Sequence, residues 1–176
     1  MAMVDALESL IAVGRDTKDD RKFAYLSVSR QPVKDASGAF ARAAVAGRLA
    51  QSSGLSATGL VAEVEQFAQS SIRMDPNFRR GAARRMLGTL WVLTPTMLLK
   101  QGDSEKGLEL LTQLAKTWPQ DNETRLRLAE AYVALDDIEP AYPHLCFCLA
   151  HRRELRPDDQ NLLTRLVQDV KLDKCP

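Results

Sequence analysis

Both histidines and two of the three cysteines of this chain fall within HLCFCLAH, residues 144–151. Such residues hold metals or carry nucleophilic chemistry, so their spacing is the first question. On a helix of ~3.6 residues per turn, Cys146 and Cys148 point about 200° apart and do not share an ion. His144, Cys148 and His151, at i, i+4 and i+7, do share a face and would hold zinc with a fourth ligand from elsewhere. The same spacing could pair a cysteine nucleophile with a histidine base, yet no orienting carboxylate or oxyanion donor accompanies it. In the competing reading Cys148 continues a packing stripe with Ala141 and Leu145, where a free thiol acts as a small, inert hydrophobe. The sequence favours packing, so the expectation is no metal, no cofactor and no catalytic residue. G-x-S-x-G, a phosphate-binding glycine loop and H-E-x-x-H are also missing. The pattern is that of a binding protein and not an enzyme.

The second constellation is RMDPNFRRGAARR, which sets Arg73, Arg79, Arg80, Arg84 and Arg85 within residues 73–85. Cations at the start of a helix oppose its dipole, at a cost of ~0.3–1 kcal/mol each. Guanidinium forks match carboxylates and phosphates. In one reading these arginines pair across the helix stack with Glu63, Glu65 or the acids of residues 123–130. In the sharper one Arg79, Arg80 and Arg84 form an anion patch for a partner's acidic tail or a small carboxylate ligand. The first is favoured.

The elements that must carry these groups are helical. Apolar residues recur at three and four spacings between Gly, Pro, Asp and Ser punctuation, and strand signals are nearly absent. Val4, Leu7, Leu10 and Ile11 mark a first helix that stops at Gly14. A second covers DDRKFAYLSVSRQ before Pro32, and a third runs from about Ser37 to Ser53. Ser56 is expected to cap a fourth, carrying Leu60, Val64, Phe67, Ala68 and Ile72. Further helices are predicted over about Asn77–Leu93, Asp103–Thr117, Asn122–Leu135 and Pro140–Glu154, the last with a bent or widened start caused by Pro143. A ninth, near residues 158–171, reads as a cap. The fold class is therefore all-α, with stacked antiparallel helix pairs in one domain spanning 1–176.

A repeat underlies these helices. Leu87-Gly88, Trp91, Leu108, Leu111 and Pro119 recur as Leu128-Ala129, Tyr132, Ala141, Leu145 and Pro157, which defines units of about 78–119 and 120–157. Their spacing is longer than the ~34 residues of a standard tetratricopeptide unit, and the excess is TPTMLLKQG, residues 94–102. So apolar a loop is expected to tuck over a helix pair or line a cavity. In such an array the first helix of each pair faces a concave groove. Residues one turn off the packing stripe, among them Arg85, Thr89, Leu126, Glu130 and Val133, are predicted to line it and to accept a peptide or an amphipathic helix.

Gly81, Leu87-Gly88, Trp91, Pro95, Gly102-Asp103, Leu108, Leu111 and Pro119, continued by Leu128-Ala129-Glu130 and Tyr132, resemble the tetratricopeptide-type component associated with bacterial TRAP transporters. The resemblance covers residues 78–145. It implies a helical repeat fold that serves a protein partner such as a solute-binding one, and no catalysis. It also supplies an alternative function: a transport accessory whose 94–102 loop lines a pocket for a small or hydrophobic ligand.

Bulk properties narrow the partners. A formal charge of +1, with 24 basic against 23 acidic residues, gives no global field for nucleic acid or a membrane, and no aromatics interleave the arginines. WVLTPTMLL is the longest apolar run and is too short and broken to span a bilayer. Another protein is the expected partner, a second copy of the chain included. Three cysteines suggest a reducing compartment, and Asp5 and Glu8 stand where a secretory leader would be cationic. Cytoplasm is the expectation, or the periplasm if a native signal peptide has been removed.

Overall fold

The computed structural model describes residues 1–175, with the side chains of Leu55 and Ser56 outside the description. Nine α-helices occur among the described residues: α1 (Ala2–Ala12), α2 (Lys18–Ser29), α3 (Ala36–Gln51), α4 (Thr58–Met74), α5 (Ala82–Leu93), α6 (Ser104–Thr117), α7 (Asn122–Ala134), α8 (Ala141–Ala150) and α9 (Pro157–Asp169). Short polar side chains start several of them by accepting an otherwise orphaned backbone N–H. Asp35 accepts from the Gly38 N–H, Asp103 from that of Lys106 and Asp121 from that of Thr124. Thr17 and Asp20 form a reciprocal capping box on α2. Pro157 opens α9, where its missing donor costs nothing.

Consecutive helices pack as antiparallel neighbours, closest for α3 with α4, α5 with α6 and α7 with α8. The first members of the pairs also meet one another, α5 on α7 and α7 on α9, and α1 packs on both α3 and α9. The array therefore curls until its first helix touches its last. Four apolar clusters run along it, built from α1–α2–α3–α5, α3–α4–α5, α5–α6–α7 and α7–α8–α9. No pair of helices buries its apolar face alone, as expected of an array stabilised by its neighbours.

Trp91 lies at the joint of α5 with α6 and Tyr132 at that of α7 with α8. Trp91 on α5 packs where α6 begins, against Gly102 and Gly107, and Tyr132 on α7 stacks on His144 of α8 at 6.1 Å between ring centroids. The insertion between α5 and α6 does not continue a helix. It makes one 3-10 turn, Thr96–Leu98, and then runs back across the array. Its anchor is Glu65, whose fully buried carboxylate accepts the Trp91 indole N–H at 2.8 Å and the backbone N–H groups of Lys100 and Gln101 at 2.9 and 3.2 Å.

Several sequence expectations change. Met97 is 89% exposed, so the tip of the loop stands in water, and it is Leu99 that packs against the α3–α4–α5 core. α5 starts at Ala82 instead of Asn77, because Arg79, Arg80 and Gly81 all adopt positive φ (47°, 55° and 75°), which no helix can contain. Ser56 falls among the side chains outside the description; α4 starts at Thr58, with Ala57 in the cap position and no side-chain cap. α8 has no widened start. Pro143 is its third residue, whose N–H would have no partner within the helix anyway. The same helix ends at Ala150, short of Glu154. Finally, Cys146 is joined to Cys175 by a disulfide across 29 residues. That removes the cysteine argument for a reducing compartment. Cys148 alone stays free among the described residues.

Candidate interaction site

The basic segment is built by the turn between α4 and α5. Asp75 accepts the Asn77 N–H at 2.9 Å, and Phe78 packs on Phe40 at 5.7 Å, which pins the turn to α3. Beyond it the left-handed residues 79–81 aim the arginines in different directions. Arg79 reaches Asp5 of α1 at 3.2 Å. Arg80 lies 3.8 Å from Asp121 with its side chain 70% exposed. Arg84 is half-buried on the first turn of α5.

Arg85 behaves differently. Its guanidinium donates to Asp121 at 3.0 Å, to the Thr124 hydroxyl at 3.2 Å and to Glu123. It therefore ties α5 to the start of α7 as a register-fixing pair. Glu63 and Glu65 serve other partners: Glu63 takes Arg42 at 2.6 Å and the Tyr25 hydroxyl at 2.7 Å, and Glu65 holds the loop.

The residues predicted to line the groove sit mostly at joints between repeats. Thr89 is half-buried, with its hydroxyl oxygen shielded from solvent. Leu126 is fully buried in the α7–α8–α9 core, so it presents no surface to a partner. Glu130 accepts from Arg127 at 3.0 Å, and the same Arg127 bonds Asp159 of α9. Val133 packs at the edge of that core. Of these residues Arg85 reaches α7, and Leu126 and Val133 belong to the core that α7 shares with α8 and α9.

What the periodicity does not disclose is an acidic clamp on α1. Glu8 takes a bidentate pair from Arg48 of α3, at 2.7 Å for both bonds, and another bond from Arg156, which precedes α9, at 2.7 Å. Arg156 also donates to the Glu8 backbone carbonyl at 3.2 Å. Burial alone would raise the Glu8 carboxyl, but Arg48 and Arg156 outweigh it and hold the group below its ordinary range. These contacts span 40 and 148 residues of sequence, beyond the reach of local patterns.

The side chains of the HLCFCLAH face take separate partners. Cys148 is fully buried, its thiol pushed up to about 12 by burial, and it lies 3.6 Å from the Asn122 carbonyl. His144 stacks on Tyr132 and shares a 3.0 Å contact with Arg125. His151 instead stacks on Phe147 at 4.5 Å and contacts Glu154 at 3.1 Å. Among the described residues no group of three or more His, Cys, Asp or Glu is arranged to hold a metal ion, and no helix is long and apolar enough to cross a membrane.

Burial, followed by the Arg125 charge, lowers His144 to about 4. The folded value lies below the unfolded one, so the neutral imidazole stabilises the fold above pH ~6.5, and this contribution fades as pH falls towards 4. His144→Gln should flatten the stability profile across that interval. With the ring partly solvated, the expected difference is about 1–2 kcal/mol, read from urea unfolding at pH 7.5 and pH 4.5. An unchanged slope would refute the assignment.

Residues 98–145 match the family model of the tetratricopeptide repeat. No curated protein matches the chain. The matched segment contains α6, α7 and the first half of α8, the part in which the sequence repeat is clearest. The stacked helix pairs around it make the fold an all-α, tetratricopeptide-like helical repeat.

Proposed function

We propose that the chain is a scaffold that binds another protein through its basic, inner side. The observation that carries this reading is the tetratricopeptide-like array with a guanidinium to spare: Arg80 is 70% exposed, its nearest carboxylate 3.8 Å away and already engaged by Arg85. Arg84 stands beside it on the first turn of α5. Two cations at the mouth of an array suit carboxylates on a partner. Arg79, Arg80 and Arg84 are accordingly the proposed contact patch. Arg85 positions α5 against α7.

Cross-linking mass spectrometry with the native chain in its own cell extract should identify a partner whose cross-links surround this turn. Arg80→Glu combined with Arg84→Glu should weaken the reconstituted complex at least tenfold, at unchanged thermal stability. Undiminished affinity would remove the patch from the proposal.

The resemblance to the TRAP-associated component supports a narrower version, a transport accessory whose partner is a solute-binding protein and whose ligand is small or hydrophobic. In its favour, Leu93 and Met97 are exposed together at the end of α5, at 43% and 89%. Native mass spectrometry that finds neither a bound ligand nor such a partner would leave the general scaffold.

A further inference from the structure

Resting on the scaffold reading, we propose that the inner face is a receptor for an acidic amphipathic helix, and that α1 is a resident stand-in which a partner helix must displace. α1 carries two acidic residues, Asp5 and Glu8, one turn apart. Each is met by arginine from a different part of the array: Asp5 by Arg79 of the α4–α5 turn, Glu8 by Arg48 of α3 and Arg156 ahead of α9. Beside them Val4 and Leu7 enter an apolar cluster with Phe40, Ala41, Ala44 and Ala83. The recognised pattern is thus an apolar residue, a carboxylate, and the same pair again three positions later, the i, i+3 signature of a helix laid in a groove.

α1 is seated by few contacts. It buries only Val4 and Leu7, whereas α3 buries eight residues. No side chain caps its N-terminus and no basic residue ends it. Leu10 and Val13 remain 38% and 59% exposed, so its apolar surface exceeds its seat. Charge supplies much of what keeps it there, and charge is what a partner helix with the same two carboxylates would replace. Arg80, already partly exposed beside Arg79, offers such a helix a contact that α1 leaves unused.

The test uses a fluorescein-labelled peptide of residues 1–14, MAMVDALESLIAVG, and the full chain. Asp5→Lys with Glu8→Lys in the chain repels its own α1 from the arginines and vacates the face. This variant should bind the peptide at least tenfold more tightly than the native chain, by fluorescence anisotropy. A peptide carrying the same two substitutions should bind neither chain. Equal binding of both peptides would reduce the interaction to apolar adhesion and overturn the proposal, as would no binding by a variant whose circular dichroism is native. Hydrogen exchange on the native chain guards against misfolding of the variant: α1 amides should exchange at least a hundredfold faster than those of α3 and α7. Equal protection would show that α1 is core and would end the proposal. A cellular partner lost on Arg80→Glu with Arg84→Glu, in a chain that never takes the peptide, would retain the scaffold and discard the stand-in.

Discussion

Glu65→Ala is expected to cost about 3–4 kcal/mol of unfolding free energy, a large share of the ~5–15 kcal/mol that such a domain possesses. Among the described residues no cation bonds the fully buried Glu65 side chain; three N–H donors hold it instead, one from the Trp91 indole and two from the loop backbone. Deleting the side chain leaves the indole N–H buried without an acceptor and opens a cavity where α4 meets the loop. Lys100 and Gln101 can turn to water, so the loop should detach before the helices do. Glu65→Gln keeps one carbonyl acceptor but turns an amine towards donors, and should cost about 1–2 kcal/mol. Urea unfolding followed by circular dichroism measures both, and Trp91 emission in a Trp118→Phe background should shift to the red in the alanine variant alone. A loss below 1 kcal/mol for Glu65→Ala would mean that the loop and α4 are held by apolar contact only.

Much of this arrangement is legible in the sequence, for reasons that differ by residue. Leu87-Gly88 and Leu128-Ala129 announce equivalent helices because packing between helix pairs repeats the same spacing. Asp103 reads as a cap because a short acceptor before an apolar period has few other uses. Glu65 does not reveal its task. Among Glu63, Glu65 and Gln66 nothing local distinguishes the acid that enters the core from the one that pairs with Arg42, and only the return of the loop from 35 residues away makes the difference.

The predicted groove residues show a second limit. Helical periodicity fixes which residues share a face, but which face looks inward depends on how far the array curls. Arg85 is spent on Asp121, Glu123 and Thr124 of α7, and Glu130 on Arg127 of its own helix. The contact that brings the start of α9 onto α1 joins Glu8 to Arg156, 148 residues apart. Cys146 illustrates the same point. Its partner Cys175 lies beyond the end of α9, and an odd cysteine count conceals one pair and one inert thiol equally well.

The joint between α5 and α6 allows the sharpest contrast among the glycines. An alanine in place of glycine inside an exposed helix gains up to ~1 kcal/mol from backbone entropy. Gly59 of α4 should show a gain of this kind, a few tenths of a kcal/mol, since a Cβ there would meet nothing within 4 Å. Gly107→Ala should do the opposite. Its Cβ would lie 2.7 Å from the Gly88 carbonyl oxygen, 2.9 Å from a Val92 methyl and 3.0 Å from the Trp91 Cβ. The first of these is backbone, which no rotamer change can move, so α5 and α6 must part and lose contact along their length. We expect a net loss of about 2–3 kcal/mol and a fall in Tm of about 5–10 °C by calorimetry. Gly88→Ala attacks the same contact from the other side, 2.9 Å from the Gly107 carbonyl oxygen, so the double variant should cost less than the two single losses combined. Ala129, which holds the place of Gly88 in the next repeat, is fully buried, so a glycine there should destabilise by removing a packed methyl and freeing the backbone. Were Gly107→Ala as stable as the native chain, the close approach of α5 and α6 would be wrong.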